Sequence, residues 1–272
     1  MAPFTLVTLN ILNDRTRWLL RRSILAAQLA ELQPDLIALQ EVTPRPDNNA
    51  HWLADQLGGY EVSYAPFVGE KAHREGLAIL SRWPLSRCES IDLQGQSRIA
   101  HRAEVHLPTR SVFLATTHLF WWPGESPERD QQARRLLDWL APLSDQPVIV
   151  CGDFNGQPDT RAVRLMREAF ASAHALVHGH EPEYTCPTPL AIGKIENAAD
   201  AWRATRRKIV AITANRSLKP WRGTLDYIFV NSHVRALDCQ VVLNKPASDN
   251  RRIYPSDHFG LMAKLEIGSY SG

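Results

Sequence analysis

The 272-residue chain lacks most features that would place it in a special class. It has only four cysteines, Cys88, Cys151, Cys186 and Cys239, widely spaced and without a C-x-x-C pair. That counts against a disulfide scaffold and against a structural zinc site, and free core thiols in a reducing compartment are the expectation. No apolar run approaches the roughly 20 residues of a membrane-spanning helix. Met1 to Leu6 runs straight into a strand-like segment, with no basic start and no long apolar stretch, so no signal peptide is expected. Repeats, low-complexity segments and linkers are missing too. Charge of one sign is scarce: 31 Lys and Arg against 29 Asp and Glu leave +2. Bulk charge therefore selects no partner, though a local basic patch still can. With 44% hydrophobic residues the composition is ordinary and globular. The expectation is a cytoplasmic monomer with one domain over residues 1–272 and a sizeable core.

The run Val148-Ile149-Val150-Cys151 opens after Pro147 and closes at Gly152, which reads as a strand buried on both faces. Asp153 and Asn155 follow, two residues apart. Extended chain alternates its side chains, so both are expected to point at one spot beyond the strand. An Asx turn is the plainer alternative for this pair alone. Elsewhere, Phe4–Leu9 and Leu36–Leu39 read as strands, with a helix over Asp14–Gln33 between them. Trp18, Leu25, Leu29 and Leu32 form that helix's apolar stripe, and Arg15, Arg17, Arg21 and Arg22 lie mostly off it. A second helix is expected over Asp47–Leu57. Strands follow at Tyr60–Ala65, Gly76–Leu80, Ser86–Leu93, Ile99–Leu107 and Ser111–Thr117. Ser126-Pro127-Glu128 is a helix start with an N-cap serine, a first-position proline and an early acid. Thr160–Phe170 reads as helix, and Leu225–Val230, Ala236–Leu243 and Phe259–Ile267 as strands. Many strands joined by short turns, mixed with helices, predict a mostly antiparallel α/β sandwich: two sheets packed together, helices outside.

Polar residues punctuate these strands. Asn10, Glu41, His118 and Asp153 each follow an apolar run, Asp226 opens one, and Asp257-His258 precede another. The end of one antiparallel strand and the start of its neighbour share an edge. These residues can therefore meet at one rim. Singly, each reads better as a turn former, a helix cap or a core histidine; as a set, they read as a site. Carboxylates with an amide and no thiol suit a hard cation, Mg²⁺ or Mn²⁺. Cation, imidazoles and a spare carboxylate suit attack of water on a phosphate.

Leu39-Gln40-Glu41-Val42, Thr116-Thr117-His118-Leu119, Gly152-Asp153-Phe154-Asn155, Leu225-Asp226-Tyr227 and Ser256-Asp257-His258 occur in an order that resembles the endonuclease/exonuclease/phosphatase superfamily. The resemblance runs from Asn10 to His258. It implies a DNase I-like, four-layered α/β sandwich and a Mg²⁺-dependent phosphoesterase. Carried over, Glu41 is the principal metal ligand, with Asn10 close by and Asp257 sharing the ion. Asp153 positions or deprotonates the attacking water, and Asn155 orients groups around it. His258 and His118 contact the phosphate, and Asp226 fixes the His258 ring.

The substrate is less sharply written. Glu183-Tyr184-Thr185 followed by Gly223–Phe229 is similar to the deadenylase-like branch, which leans toward RNA or nucleotides. Residues 201–222 hold Arg203, Arg206, Arg207, Lys208, Arg216, Lys219 and Arg222 with no acid, bracketed by Trp202 and Trp221. Such a loop can hold a phosphate backbone and stack bases, or grip an anionic membrane surface or a phosphorylated head group. A solvated basic loop is the plainer reading. Trp121-Trp122-Pro123 can form a pocket wall, a membrane-touching lip or buried packing. Arg74 and Arg98 lie in loops within reach of the rim and are left out of the site. A nuclease acting on DNA or RNA is the expectation. A sphingomyelinase-like or inositol-phosphate phosphoesterase, or a catalytically silent binding protein of the same fold, are the alternatives.

Overall fold

The structure, a computed structural model, describes residues 2–44, 47–190, 201, 202, 205, 209 and 221–268. The chain opens with β1 (Phe4–Asn10), α1 (Arg15–Leu32), β2 (Leu36–Val42) and α2 (Asn49–Leu57). Then come β3 (Glu61–Pro66), β4 (Gly76–Ser81), β5 (Leu85–Asp92), β6 (Ile99–His106) and β7 (Ser111–His118). The second half holds α3 (Pro127–Leu140), β8 (Val148–Asp153), α4 (Arg161–Ala169), β9 (Ala171–Ser172), α5 (Ala173–His178), β10 (Asp226–Val230), β11 (Val234–Val242) and β12 (Gly260–Ile267). Two six-stranded sheets result, ordered β11-β12-β1-β2-β4-β3 and β5-β6-β7-β8-β10-β9. Pairing is antiparallel except at β1/β2 and β7/β8, where α1 and α3 supply the crossovers.

Period-two alternation builds the layers. On β1, Phe4 and Leu6 join the cluster between the sheets, while Val7 and Leu9 pack outward with Trp18, Leu25 and Leu29 of α1. On β8, Ile149 and Cys151 face inward, and Val148 and Val150 pack outward with Leu136 of α3 and Val163 of α4. The α/β sandwich read from the strand pattern is the one observed. Helix α3 starts as its sequence predicts: the Ser126 hydroxyl accepts from the Arg129 N–H, and Pro127 occupies the first turn.

Three features differ from expectation. The short β9 and α5 carried no periodic signal and were not anticipated. Arg21, placed off the apolar stripe of its helix, is fully buried, and so is Arg129 of α3. Arg21 donates to the Ile11, Leu12 and Pro255 carbonyls, pinning the loops after β1 and before β12. Of the four free thiols, Cys151 and Cys239 are buried, but Cys88 is exposed, because β5 is an edge strand with an open face.

Candidate active site

The inner faces of the strands change character toward one rim. Above the apolar floor of Leu6, Ala38, Leu114 and Ile149 lies a polar layer. There the Gln40 amide donates to the Thr8 and Thr116 hydroxyls at 3.1 and 3.0 Å, joining the two sheets. One step further along the same faces stand Asn10, His118 and Asp153, with Asp226 beside them. Register fixes this: His118 pairs with Asp153 across β7/β8, and Asp153 with Asp226 across β8/β10. Directly opposed residues share a face, so the three side chains crowd together. All four are almost completely buried.

Gly152 makes that crowding possible. Its φ is +133°, and a Cβ there would strike the Thr117 carbonyl. Beyond Asp153 the strand ends. Asn155 has φ +49°, and its backbone N–H donates to Asp153 Oδ1 at 2.8 Å. The Asx turn is therefore real, and it coexists with the site. It also corrects one expectation: the Asn155 carboxamide does not run alongside the Asp153 carboxylate but donates to the Leu119 carbonyl at 3.0 Å. Extended-chain alternation stops at Asp153.

Asp153 is the centre. Its Oδ2 accepts from Asn10 Nδ2 at 3.0 Å and lies 3.4 Å from His118 Nε2 and 3.8 Å from His258 Nε2. Each ring has its own support. Arg98 reaches His118 Nδ1 at 2.8 Å, and Asp226 Oδ2 accepts from His258 Nδ1 at 2.9 Å. The Thr185 hydroxyl donates to the same Asp226 oxygen at 2.6 Å. Burial raises the Asp153 carboxyl to about 6; the His258 charge and the Asn10 hydrogen bond pull the other way, and Asp226 adds to the rise. For His258, burial opposes the imidazolium, but Cys186, Asp226 and Asp153 outweigh it and hold the ring well above 6.5. Burial also keeps the Cys186 thiol protonated, so near neutrality the two carboxylates are the effective cause.

At the other end of the rim is Glu41. The β2/β4 register shifts between Leu39 and Val42, and Glu41 takes φ +60° at that bulge. Its Oε1 accepts from Asn10 Nδ2 at 3.1 Å and its Oε2 from the Asn13 N–H at 2.7 Å. One carboxamide thus joins Glu41 to Asp153, while the Asn10 oxygen accepts from the Leu12 N–H. Glu75, which lies between β3 and β4 and was not among the expected site residues, belongs here. Burial and then the Glu41 charge raise its carboxyl. It immediately precedes Gly76, the first residue of β4, so the strand-start rule that found Asp226 would have found it. Clustered acids with oxygen donors and an amide fit a hard divalent cation at the Glu41 end. The compact trio Asp153, Asp226 and His258, whose potential ligand atoms lie within 4.8 Å of one another, is a different matter. There the Asp226–His258 hydrogen bond occupies Asp226 Oδ2 and His258 Nδ1 and fixes the ring, while Asp226 Oδ1 stays without a partner among the described residues. Asp257 is half-buried, with Oδ1 3.4 Å from the Ser256 hydroxyl.

Next to the turn after β8, Arg129 donates to the Asn155 and Trp122 carbonyls at 2.7 and 2.8 Å, tying the Trp121-Trp122 segment to it. Trp121 contacts both Trp122 and Trp202, with centroids 5.4 and 6.1 Å apart, and Trp122 and Trp202 are half-exposed. Arg203, Arg206, Arg207 and Lys208, expected to touch substrate, lie outside the described residues. Arg222 stacks over Tyr184 at 4.8 Å.

The model of the Endonuclease/Exonuclease/phosphatase family matches residues 7–258. The chain belongs to that family. Among curated relatives, rat (Rattus norvegicus) Nocturnin is 24% identical over 278 residues, which cover 93% of this chain and 60% of Nocturnin. A probable RNA exonuclease of Schizosaccharomyces pombe is 30% identical over 168 residues, 53% of this chain and 32% of that protein. This chain thus spans well under two thirds of the length of these relatives. Among solved structures, the human Nocturnin catalytic domain with bound sulfate superposes with a TM-score of 0.70 at 24% identity, covering 97% of this chain and 93% of that one. D. rerio TDP2 complexed with single-strand DNA product gives 0.73 at 19% identity, covering 98% and 100%. Both share the sandwich fold of this family member.

Proposed function

We propose that this family member is a Mg²⁺-dependent phosphodiesterase that cleaves RNA or DNA by in-line attack of water on the phosphorus. One observation carries the reading: a buried carboxylate, Asp153, faces two imidazoles at 3.4 and 3.8 Å, and each ring is backed by its own charged partner. The Asn155 N–H and the Asn10 amide hold one carboxylate oxygen each, so Asp153 is aimed before substrate arrives. A carboxyl with a pKa of about 6 is ionised at neutral pH and more basic than a free aspartate, which suits it to take the proton from water. His118 and His258 turn their Nε2 atoms toward the same space and donate to non-bridging phosphoryl oxygens. Asp226 holds the His258 ring and its charge. Glu41, with Asn10 and Asp257 alongside, would hold a divalent ion, which would supply positive charge against that developing on the phosphate. Manganese would serve in the same place.

The nucleic-acid preference rests on the names of relatives, an RNA exonuclease and a DNA-bound TDP2, and on the half-exposed tryptophans fixed beside Asn155, which suit stacking on unpaired bases. A monomer is proposed with the function. Among the described residues no helix is long and apolar enough to cross a membrane; cytoplasmic residence is proposed with the function. The test is Mg²⁺-dependent hydrolysis across single-stranded DNA, duplex DNA, RNA, sphingomyelin and inositol phosphates. The account expects turnover of an oligonucleotide, with a Trp121→Ala/Trp122→Ala double variant raising KM. Turnover of lipid vesicles alone, lost in that double variant, would replace the substrate class.

A further inference from the structure

The two active-site histidines are supported in opposite ways. Behind His258 stands an acceptor, the Asp226 carboxylate. Behind His118 stands a pure donor. Arg98 is buried, its Nη1 lies 2.8 Å from His118 Nδ1, and its guanidinium stacks over Phe67 at 5.2 Å. Phe67 also flanks the His118 ring, with centroids 6.2 Å apart, so ring and guanidinium share one aromatic wall. A guanidinium carries five N–H donors and no acceptor. The nitrogen it touches must therefore offer a lone pair, and the ring's proton must sit on Nε2. Flipping the ring would set a carbon against the guanidinium and turn Nε2 away from Asp153.

We propose that Arg98 is a positioning residue that commits His118 to its Nε2–H tautomer, so that the nitrogen facing Asp153 and the phosphate is always a hydrogen-bond donor. The inference deepens the phosphodiesterase reading and rests on it for the role of His118; the tautomer itself does not depend on that reading. It also divides the labour between the rings. His258, backed by a carboxylate, holds a second proton readily. His118, backed by a cation, serves as a fixed neutral donor and not as an acid. Arg98 touches neither water nor phosphate in this scheme. It acts through the ring.

Long-range ¹H–¹⁵N spectra of the histidine side chains test this directly, with the His118 signals assigned by their loss in His118→Asn. The wild-type protein is expected to show His118 protonated on Nε2 alone. Arg98→Met keeps the apolar stem on Phe67 but removes the donor, and should give mixed tautomers and a kcat about 10- to 100-fold lower, with KM within about threefold. Arg98→Lys restores a donor and should recover the single tautomer and most of kcat; it also serves if the methionine variant does not fold. A wild-type His118 protonated on Nδ1, or an unchanged tautomer and kcat in Arg98→Met, would overturn the proposal. The spectra need no substrate. A wild-type protein inactive on every phosphodiester but showing the Arg98-dependent tautomer would end the functional reading and leave this one standing.

Discussion

Asp153→Asn is expected to do two opposite things: to lower kcat by orders of magnitude and to gain stability on the metal-free wild type as pH rises. The carboxyl rises from 3.8 to about 6 because it is buried. Ionising it is then about 3 kcal/mol more costly in the folded protein than in the unfolded chain. The sign follows. A raised carboxyl favours the folded state fully below pH 3.8, and that advantage is lost as pH climbs to about 6. Above pH 6 the wild-type protein carries the whole penalty, and the amide carries none. The substitution also sets an NH₂ against the Asn10 NH₂, which costs about 1–3 kcal/mol at any pH. Comparing two pH values cancels that loss. Urea denaturation in EDTA should show the variant gaining about 2 kcal/mol on the wild type between pH 4 and pH 8. Removing the base should lower kcat about 10²- to 10⁴-fold. Mg²⁺ should raise the wild-type Tm more than that of the variant, since the cation relieves the buried charge. A stability difference independent of pH, or a kcat within about threefold of wild type, would refute the placing of Asp153 as a buried base.

Further outcomes follow from the same geometry. Gly152→Ala forces a Cβ onto the Thr117 carbonyl at a φ of +133°, and should lower stability by about 3 kcal/mol or more in urea denaturation, with activity lost alongside. Asp226→Asn leaves His258 and the Thr185 hydroxyl without a carboxylate; the His258 ring should titrate at lower pH, visible by NMR, and kcat should fall at least about 10²-fold. Arg129→Met strands the Asn155 and Trp122 carbonyls, and should cost about 2–4 kcal/mol of stability and weaken oligonucleotide binding.

Much of the site was legible because it obeys one rule. Inner-face residues of β1, β7, β8 and β10 turn from apolar to polar toward one end, through Thr8 and Thr116 on β1 and β7, and Asn10, His118, Asp153 and Asp226 stand at the last or first position. A strand's period of two and its boundaries are both visible in sequence. What was missed depends on irregular backbone. Arg98 follows a turn in which Gln94, Gln96 and Ser97 all take positive φ, and no propensity reports that path. The burial of Arg21 and Arg129 could not be read because their partners are loop carbonyls, which leave no mark in a sequence pattern. Asn155 was read as an extended residue, and its turn was settled by Asp153 accepting its N–H.

The most direct measurement is the Mg²⁺ dependence of RNA hydrolysis by the wild-type protein and by Glu41→Gln after EDTA treatment. Activity restored to the wild type by micromolar to millimolar Mg²⁺, with Glu41→Gln needing at least about tenfold more ion, is the predicted result. Equal rates in EDTA and in Mg²⁺, or a variant with an unaltered metal requirement, would contradict it.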